Sequence, residues 1–105
     1  MTLSINYSEF SSHDLKKQRS LFVRCFPEVA DTPSEKNEYY QWKFHSRGED
    51  KAPNSFEYAA YSQQSLVGYY GALPYYYNVF GERLLSGMVC DVMTDPNHRG
   101  KGIFT

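Results

Sequence analysis

"VMTDPNHRGKGIF", residues 92–104, follows an apolar run and alternates cation with glycine at Arg99, Gly100, Lys101 and Gly102. In a turn from a strand into a helix, such glycines let the backbone approach a phosphate and present its N–H groups. The helix dipole and the two cations add favourable charge, so the stretch predicts a local site for a diphosphate. The spacing excludes two common phosphate loops. It is neither Gly-x-x-x-x-Gly-Lys-Ser/Thr nor Gly-x-Gly-x-x-Gly. Taken alone, the stretch also reads as a plain surface turn, so what precedes it decides.

Working back along the chain, "LLSGMVCDVMT" (84–94) predicts a strand buried on both faces, because its apolar character is nearly continuous. "GER" makes a turn, and "LVGYYGALPYYYNVF" (66–80) predicts a long strand in which Gly68, Gly71 and Pro74 mark a bulge or bend. "FEYAAY" (56–61) is a further strand, joined to the long one by "SQQS". "SRGEDKAPNS" (46–55) reads as a polar loop, and "LSINY" (3–7) as a short first strand.

Two helices lie between. The first follows the capping serines of "SSHD", carries Asp14 in its first turn and Leu15, Phe22 and Phe26 roughly on one face, and stops at Pro27. The second has Thr32 as cap, Pro33 at the first helical position and Glu35 to close a capping box, and runs to about His45. Either Tyr39 with Trp42 or Tyr40 with Phe44 faces the core. The class is α+β: strand, two helices, then a three-stranded antiparallel meander ending in a loop aimed at a helix.

A chain of 105 residues fits one small domain. Its net charge of -1 supplies no global positive field, which argues against nucleic acid and anionic membranes as partners. Cys25 and Cys90 lack metal spacing and disulfide density and predict buried thiols in a reducing cytoplasm; the N-terminus has no signal-peptide pattern. His13, His45 and His98 show no metal-ligand spacing, so no metal is expected. The tyrosines of "YYGALPYYYNVF" suit either a ligand groove or a sheet with one wet face.

"VMTDPNHRGKGIF" after "YYQWKFH" and "SLVGYYGALPYYYNVFGERLLSGMVCDV" resembles the acetyl-CoA-binding segment and preceding elements of the GNAT superfamily of N-acetyltransferases. The family pattern is Gln/Arg-x-x-Gly-x-Gly/Ala. Counted from Arg99, Gly102 fits and Phe104 departs; counted from Asn97, both glycines fit and Asn97 itself departs. The resemblance implies a GNAT-like fold whose N-terminal part ends within the cofactor motif, with acetyl-CoA as cosubstrate.

It also implies roles. Backbone groups of Val92, Met93 and Thr94 bond the pantetheine arm, while Arg99, Gly100, Lys101, Gly102, Ile103, Phe104 and Thr105 hold the diphosphate. A primary amine attacks the thioester directly after losing its proton to a base. Asp91 is the carboxylate candidate for that base; the alternative is a rim position bonding loop backbone. A small-molecule amine is the expected acceptor. Only Ile103, Phe104 and Thr105 follow Gly102, so the expectation is an incomplete domain, weak for acetyl-CoA and inactive alone, with an open strand edge inviting self-association. The competing class is a noncatalytic binding module using the Tyr-rich strand and that edge.

Overall fold

The computed structural model describes residues 4–45 and 56–103. Strand β1 (Ile5–Glu9) leads to helices α1 (Leu15–Cys25) and α2 (Asn37–His45), and then to β2 (Phe56–Ser62), β3 (Ser65–Val79) and β4 (Glu82–Thr94). The sheet order is β1-β2-β3-β4 with every pair antiparallel, the α+β meander expected from the periodicity. The first strand sits slightly later than "LSINY", because Ser8 and Glu9 continue its pairing against Ala59 and Tyr58. The polar loop expected at 46–55 lies outside the described residues.

The Ser11 side chain accepts from the His13 N–H, but a 3-10 turn, Ser12–Asp14, intervenes before α1 begins. Asp14 is therefore the residue flanking the helix rather than part of its first turn, and its carboxylate accepts the Tyr61 hydroxyl. The buried stripe of α1 is Gln18, Arg19 and Leu21. Leu15 and Phe22 pack on the core edge, and Phe26, 39% exposed, rests on the Phe22 ring.

The expected capping box does not form. Residues Pro33–Glu35 make a separate 3-10 turn, Lys36 is extended, and α2 starts at Asn37. Thr32 Oγ1 donates back to the Val29 carbonyl at 2.6 Å, and Glu35 Oε2 accepts from the Asp31 N–H at 2.6 Å. Short polar side chains compete for nearby backbone, and here they fasten the turn in front of the helix. Of the two α2 pairs, Tyr40 and Phe44 are buried, while Trp42 is 67% exposed.

Both helices cover one face of the sheet, where Leu21, Tyr40, Phe44, Ala59, Leu66 and Tyr69 form the heart of the core. A smaller cluster on the other face joins Ala60, Val67 and Ile103, with Ile5 beside it. Of the three breakers in the long strand, Gly68 and Gly71 lie at irregularities, whereas Pro74 pairs in regular register with Gly87. Register shifts fall between Ala60 and Tyr61 and between Gly71 and Ala72. The extra residue at the second shift is Cys90, on the partner strand β4.

Strand β4 is not buried on both faces. Its residues Leu84, Leu85, Met88 and Val89 are 44–50% exposed. Continuous apolar character arises here because the distal β3–β4 hairpin runs past the helices: burial on β3 ends at Pro74, and on β4 the core contacts end at Cys90. The hairpin turns at Phe80 and Gly81, both at positive φ (50° and 84°), one residue before the predicted "GER". No helix among the described residues is long and apolar enough to cross a membrane.

Candidate active site

Register neighbours in an antiparallel sheet share a face. Glu57 on β2 opposes Gly71 on β3, and Gly71 opposes Asp91 on β4, one row away from Ala59, Tyr69 and Met93 in the core. Two carboxylates thus flank a glycine beneath α2. A Cβ at Gly71 would lie 2.9 Å from Tyr69 Oη and 3.0 Å from Phe44 Cε1, so the phenol hydroxyl occupies the space a side chain would take.

Asp91 turns toward α2. Its Oδ1 accepts from Lys43 Nζ at 2.9 Å, with the two side chains 14% and 22% exposed. The loop backbone is served instead by Asp95. Cys90, immediately before it, packs against the core edge and donates to the Met88 carbonyl at 3.4 Å.

Glu57 is the more deeply placed acid, its side chain 7% exposed. The Tyr69 hydroxyl donates to Oε1 at 2.6 Å, the Tyr40 hydroxyl donates to the same oxygen, and His45 Nε2 lies 2.9 Å from Oε2. His45 Nε2 is also 3.0 Å from Tyr40 Oη. A buried carboxylate is costly unless hydrogen-bonded, and these partners satisfy it. Burial, reinforced by Glu57, holds the Tyr40 and Tyr69 phenols far above their ordinary range. The spacing of the histidines in the sequence does not reveal this cluster. The available signal was parity, because Glu57 alternates in step with Ala59 and Tyr61, the inward residues of β2.

After β4 the chain makes a 3-10 turn, Pro96–His98, capped by Asp95, whose Oδ1 accepts the Asn97 N–H at 2.9 Å. Arg24 from the end of α1 donates to Asp95 Oδ2 at 3.1 Å, and His98 Nδ1 lies 3.8 Å from Oδ1. Burial alone would raise the Asp95 carboxyl, but the Asn97 N–H, Arg24 and His98 outweigh it and hold it below the usual carboxylate range. Cys25 Sγ donates to the Thr94 carbonyl at 3.3 Å; burial raises its thiol, partly opposed by Arg99.

The structure distributes the expected cofactor residues as follows. Val92 is 46% exposed on the helix-free face, Met93 is buried in the core, and Thr94 offers its carbonyl to Cys25 and to Arg99 Nε at 3.2 Å. Gly100 and Gly102 have φ of 78° and 73°, a region that disfavours side chains. A Cβ at Gly100 would meet nothing within 4 Å. Arg99 and Lys101 are exposed beside them. Ile103 instead buries its side chain against Ala60 and Val67, and its carbonyl accepts from the Tyr7 hydroxyl at 2.8 Å. Phe104 and Thr105 lie outside the described residues. An open, glycine-kinked, cationic backbone whose own acid is already satisfied fits an anionic diphosphate. Among the described residues no group of His, Cys, Asp and Glu is arranged to hold a metal ion.

This fold and site define a class. Residues 6–105 match the family model described as the acetyltransferase (GNAT) domain, and the chain belongs to that family. No curated protein matches it in sequence. Solved structures share the fold at low identity. A transcriptional regulator from Bacillus halodurans C-125 superposes with TM-score 0.69 and 17% identity, over 95% of this chain and 66% of its own. A ribosomal-protein-alanine N-acetyltransferase from Brucella melitensis biovar Abortus 2308 gives TM-score 0.63 and 21% identity, over 95% and 63%. An aminoglycoside acetyltransferase from an uncultured soil metagenomic sample gives TM-score 0.61 and 17% identity, over 96% and 64%. The chain therefore spans about two thirds of the length of these proteins.

Proposed function

We propose that the protein transfers an acetyl group from acetyl-CoA to a primary amine by direct attack, with a small-molecule amine as acceptor and Asp91 as the group that takes the amine proton. Membership of the GNAT family supports acyl transfer. The observation that carries the site is the pairing of Asp91 with Lys43 one residue after the Cys90 bulge, on the sheet's edge strand and next to Val92–Thr94. Lys43 engages Oδ1, and the proton goes to Oδ2. Backbone of Val92–Thr94 holds the pantetheine arm, while Gly100, Gly102, Arg99 and Lys101 receive the diphosphate. Ile103 contributes backbone only, and Phe104 and Thr105 are assigned to the same cofactor by the family resemblance alone.

The thioester supplies the activated acetyl group and a leaving thiolate. Solved proteins of this fold include one named for ribosomal-protein alanine and one for aminoglycosides, and both names denote amine acceptors. In the same reading residues 1–105 form one domain. The test is thiol release from acetyl-CoA by the full natural protein with glucosamine, spermidine and an alanyl peptide. Release with at least one amine is expected, and Asp91→Asn should lower turnover by about 100-fold, the lower end of general-base contributions. No release with any of the amines, or an Asp91→Asn protein as fast as the unaltered one, would remove the reading or its base respectively.

The noncatalytic alternative rests on one observation, the exposure of Tyr75, Tyr76 and Tyr77 (38–43%) on a projecting hairpin. The same panel, run as a binding titration without acetyl-CoA, distinguishes it.

A further inference from the structure

Acetyl transfer to an amine has a proton balance. The acceptor enters as an ammonium ion and leaves as a neutral amide, so nitrogen gives up two protons as the N–C bond forms and the C–S bond breaks. One ends on the departing thiol. The other must reach solvent every turnover. Asp91, 14% exposed before any substrate covers it and paired with Lys43, is a poor terminus for that proton.

The helix-facing row offers a route. Opposed Cβ positions on neighbouring strands lie about 5 Å apart. Tyr69 Oη stands 2.9 Å from the Cβ position of Gly71, the residue opposite Asp91, a separation on the scale that one bridging water covers. Tyr69 donates to Glu57 Oε1, Glu57 Oε2 meets His45 Nε2, and the His45 side chain is 30% exposed at the end of α2. Buried acid, phenol and imidazole are continuous from the sheet's centre to its surface.

We propose that Tyr69, Glu57 and His45 form a proton outlet from Asp91 to solvent beside α2; this rests on the acetyltransferase reading with Asp91 as base. Glu57 and His45 share one proton between Oε2 and Nε2. When Asp91 releases its proton toward Tyr69 Oη, the phenol proton moves to Glu57 Oε1, the shared proton moves to Nε2, and Nδ1 gives one to water; rotation of the Glu57 carboxyl and exchange of the imidazole protons with water then restore the starting state. Tyr69 is never left as phenolate, consistent with the burial that opposes its ionisation. The charged and titratable groups facing this chain are Arg19 from α1, Tyr40 and Lys43 from α2, and Asp91 from β4. Gly71 is required for the geometry, since a methyl there displaces the Tyr69 hydroxyl.

The test uses the full natural protein, acetyl-CoA and whichever amine of the panel above it turns over. His45→Ala, at the part-exposed end of the cluster, should lower turnover in weak buffer, enlarge the solvent deuterium isotope effect and leave KM for acetyl-CoA unchanged. Concentrated imidazole buffer should restore the rate. Tyr69→Phe, which keeps the ring, should show the same loss without rescue, because imidazole cannot reach that buried position. A His45→Ala protein as fast as the unaltered one, or a loss that imidazole does not restore, overturns the outlet and leaves the cluster as a fastening of α2 to the sheet. An unaltered protein that releases no thiol with any amine overturns the acetyltransferase reading and the outlet with it. An unaltered protein whose rate survives Asp91→Asn overturns the outlet's starting point alone.

Discussion

Asp95 carries more of the loop's architecture than any glycine in it. One oxygen caps the turn through the Asn97 N–H and the other takes Arg24, so this side chain fixes the direction in which β4 hands the chain to Arg99 and Gly100. Its carboxyl is held below the ordinary value in the fold, so the unfolded chain binds the proton at higher pH. The resulting stability is complete above the unfolded carboxylate pKa of about 3.9 and is lost as pH falls through the lowered folded value. Asp95→Asn keeps a capping oxygen for the Asn97 N–H but loses the charge facing Arg24, so it should cost about 0.5–1 kcal/mol near neutrality, and the variant should show a smaller drop in unfolding midpoint between neutral and acid pH. Urea titrations of both proteins at two pH values measure it. An unchanged acid dependence would mean that Arg24 and Asn97 do not hold this carboxylate. From sequence, Asp95 looked like part of a turn and Asp91 like a chemical group. The two share strand parity and differ in pairing: Asp91 sits inside the β3–β4 ladder and points back under α2, whereas Asp95 lies beyond the last paired residue, Thr94.

Helix α2 is the element whose function was hardest to read. Its apolar pairs Tyr39/Trp42 (i, i+3) and Tyr40/Phe44 (i, i+4) both fall at helical neighbour spacing, and only the sheet chooses between them, by offering Glu57 and Gly71 to the second pair. The strands were legible, because period-two alternation is local, and so was the bulge marked by Gly71. The buried acid cluster was not, because it joins α2 to β2 and β3 across distant positions in the chain. Its consequence at the element scale is optical. Burial and Glu57 hold Tyr40 and Tyr69 un-ionised far into alkali, and burial with the Asp14 bond pushes Tyr61 up to about 12. Of ten tyrosines, these three should contribute little to the absorbance change near pH 11, roughly one unit above a free phenol, while the urea-unfolded chain shows the full change. Glu57→Gln should release Tyr40 and Tyr69 to lower pH without moving Tyr61. A full tyrosinate signal from the folded protein at that pH would show that α2 does not seal the sheet.

On the scale of the molecule, the fold is long for its mass, 52 × 33 × 23 Å, because the distal β3–β4 hairpin extends beyond the helices. Apolar side chains on both faces of this ribbon are exposed, from Tyr75 at 38% to Phe80 at 103%. Sequence patterning misplaced it, since continuous apolar residues in a strand ordinarily mean cover on both sides. A two-stranded ribbon gains little from its own pairing, and its exposed apolar surface lowers its free energy by association. Among the described residues β4 also has β3 on one side and no strand on the other. The chain as given should therefore self-associate as its concentration rises. Leu85 and Val89, on the helix-free face and 44% and 50% exposed, lie outside the main core, so Leu85→Lys and Val89→Lys should weaken association while leaving the melting temperature of the dilute protein nearly unchanged. Sedimentation velocity across a hundredfold concentration range decides: a single monomer boundary throughout would mean that the ribbon's apolar faces are tolerated in water. Association that survives both lysines would assign it to the open β4 edge rather than to the ribbon's face.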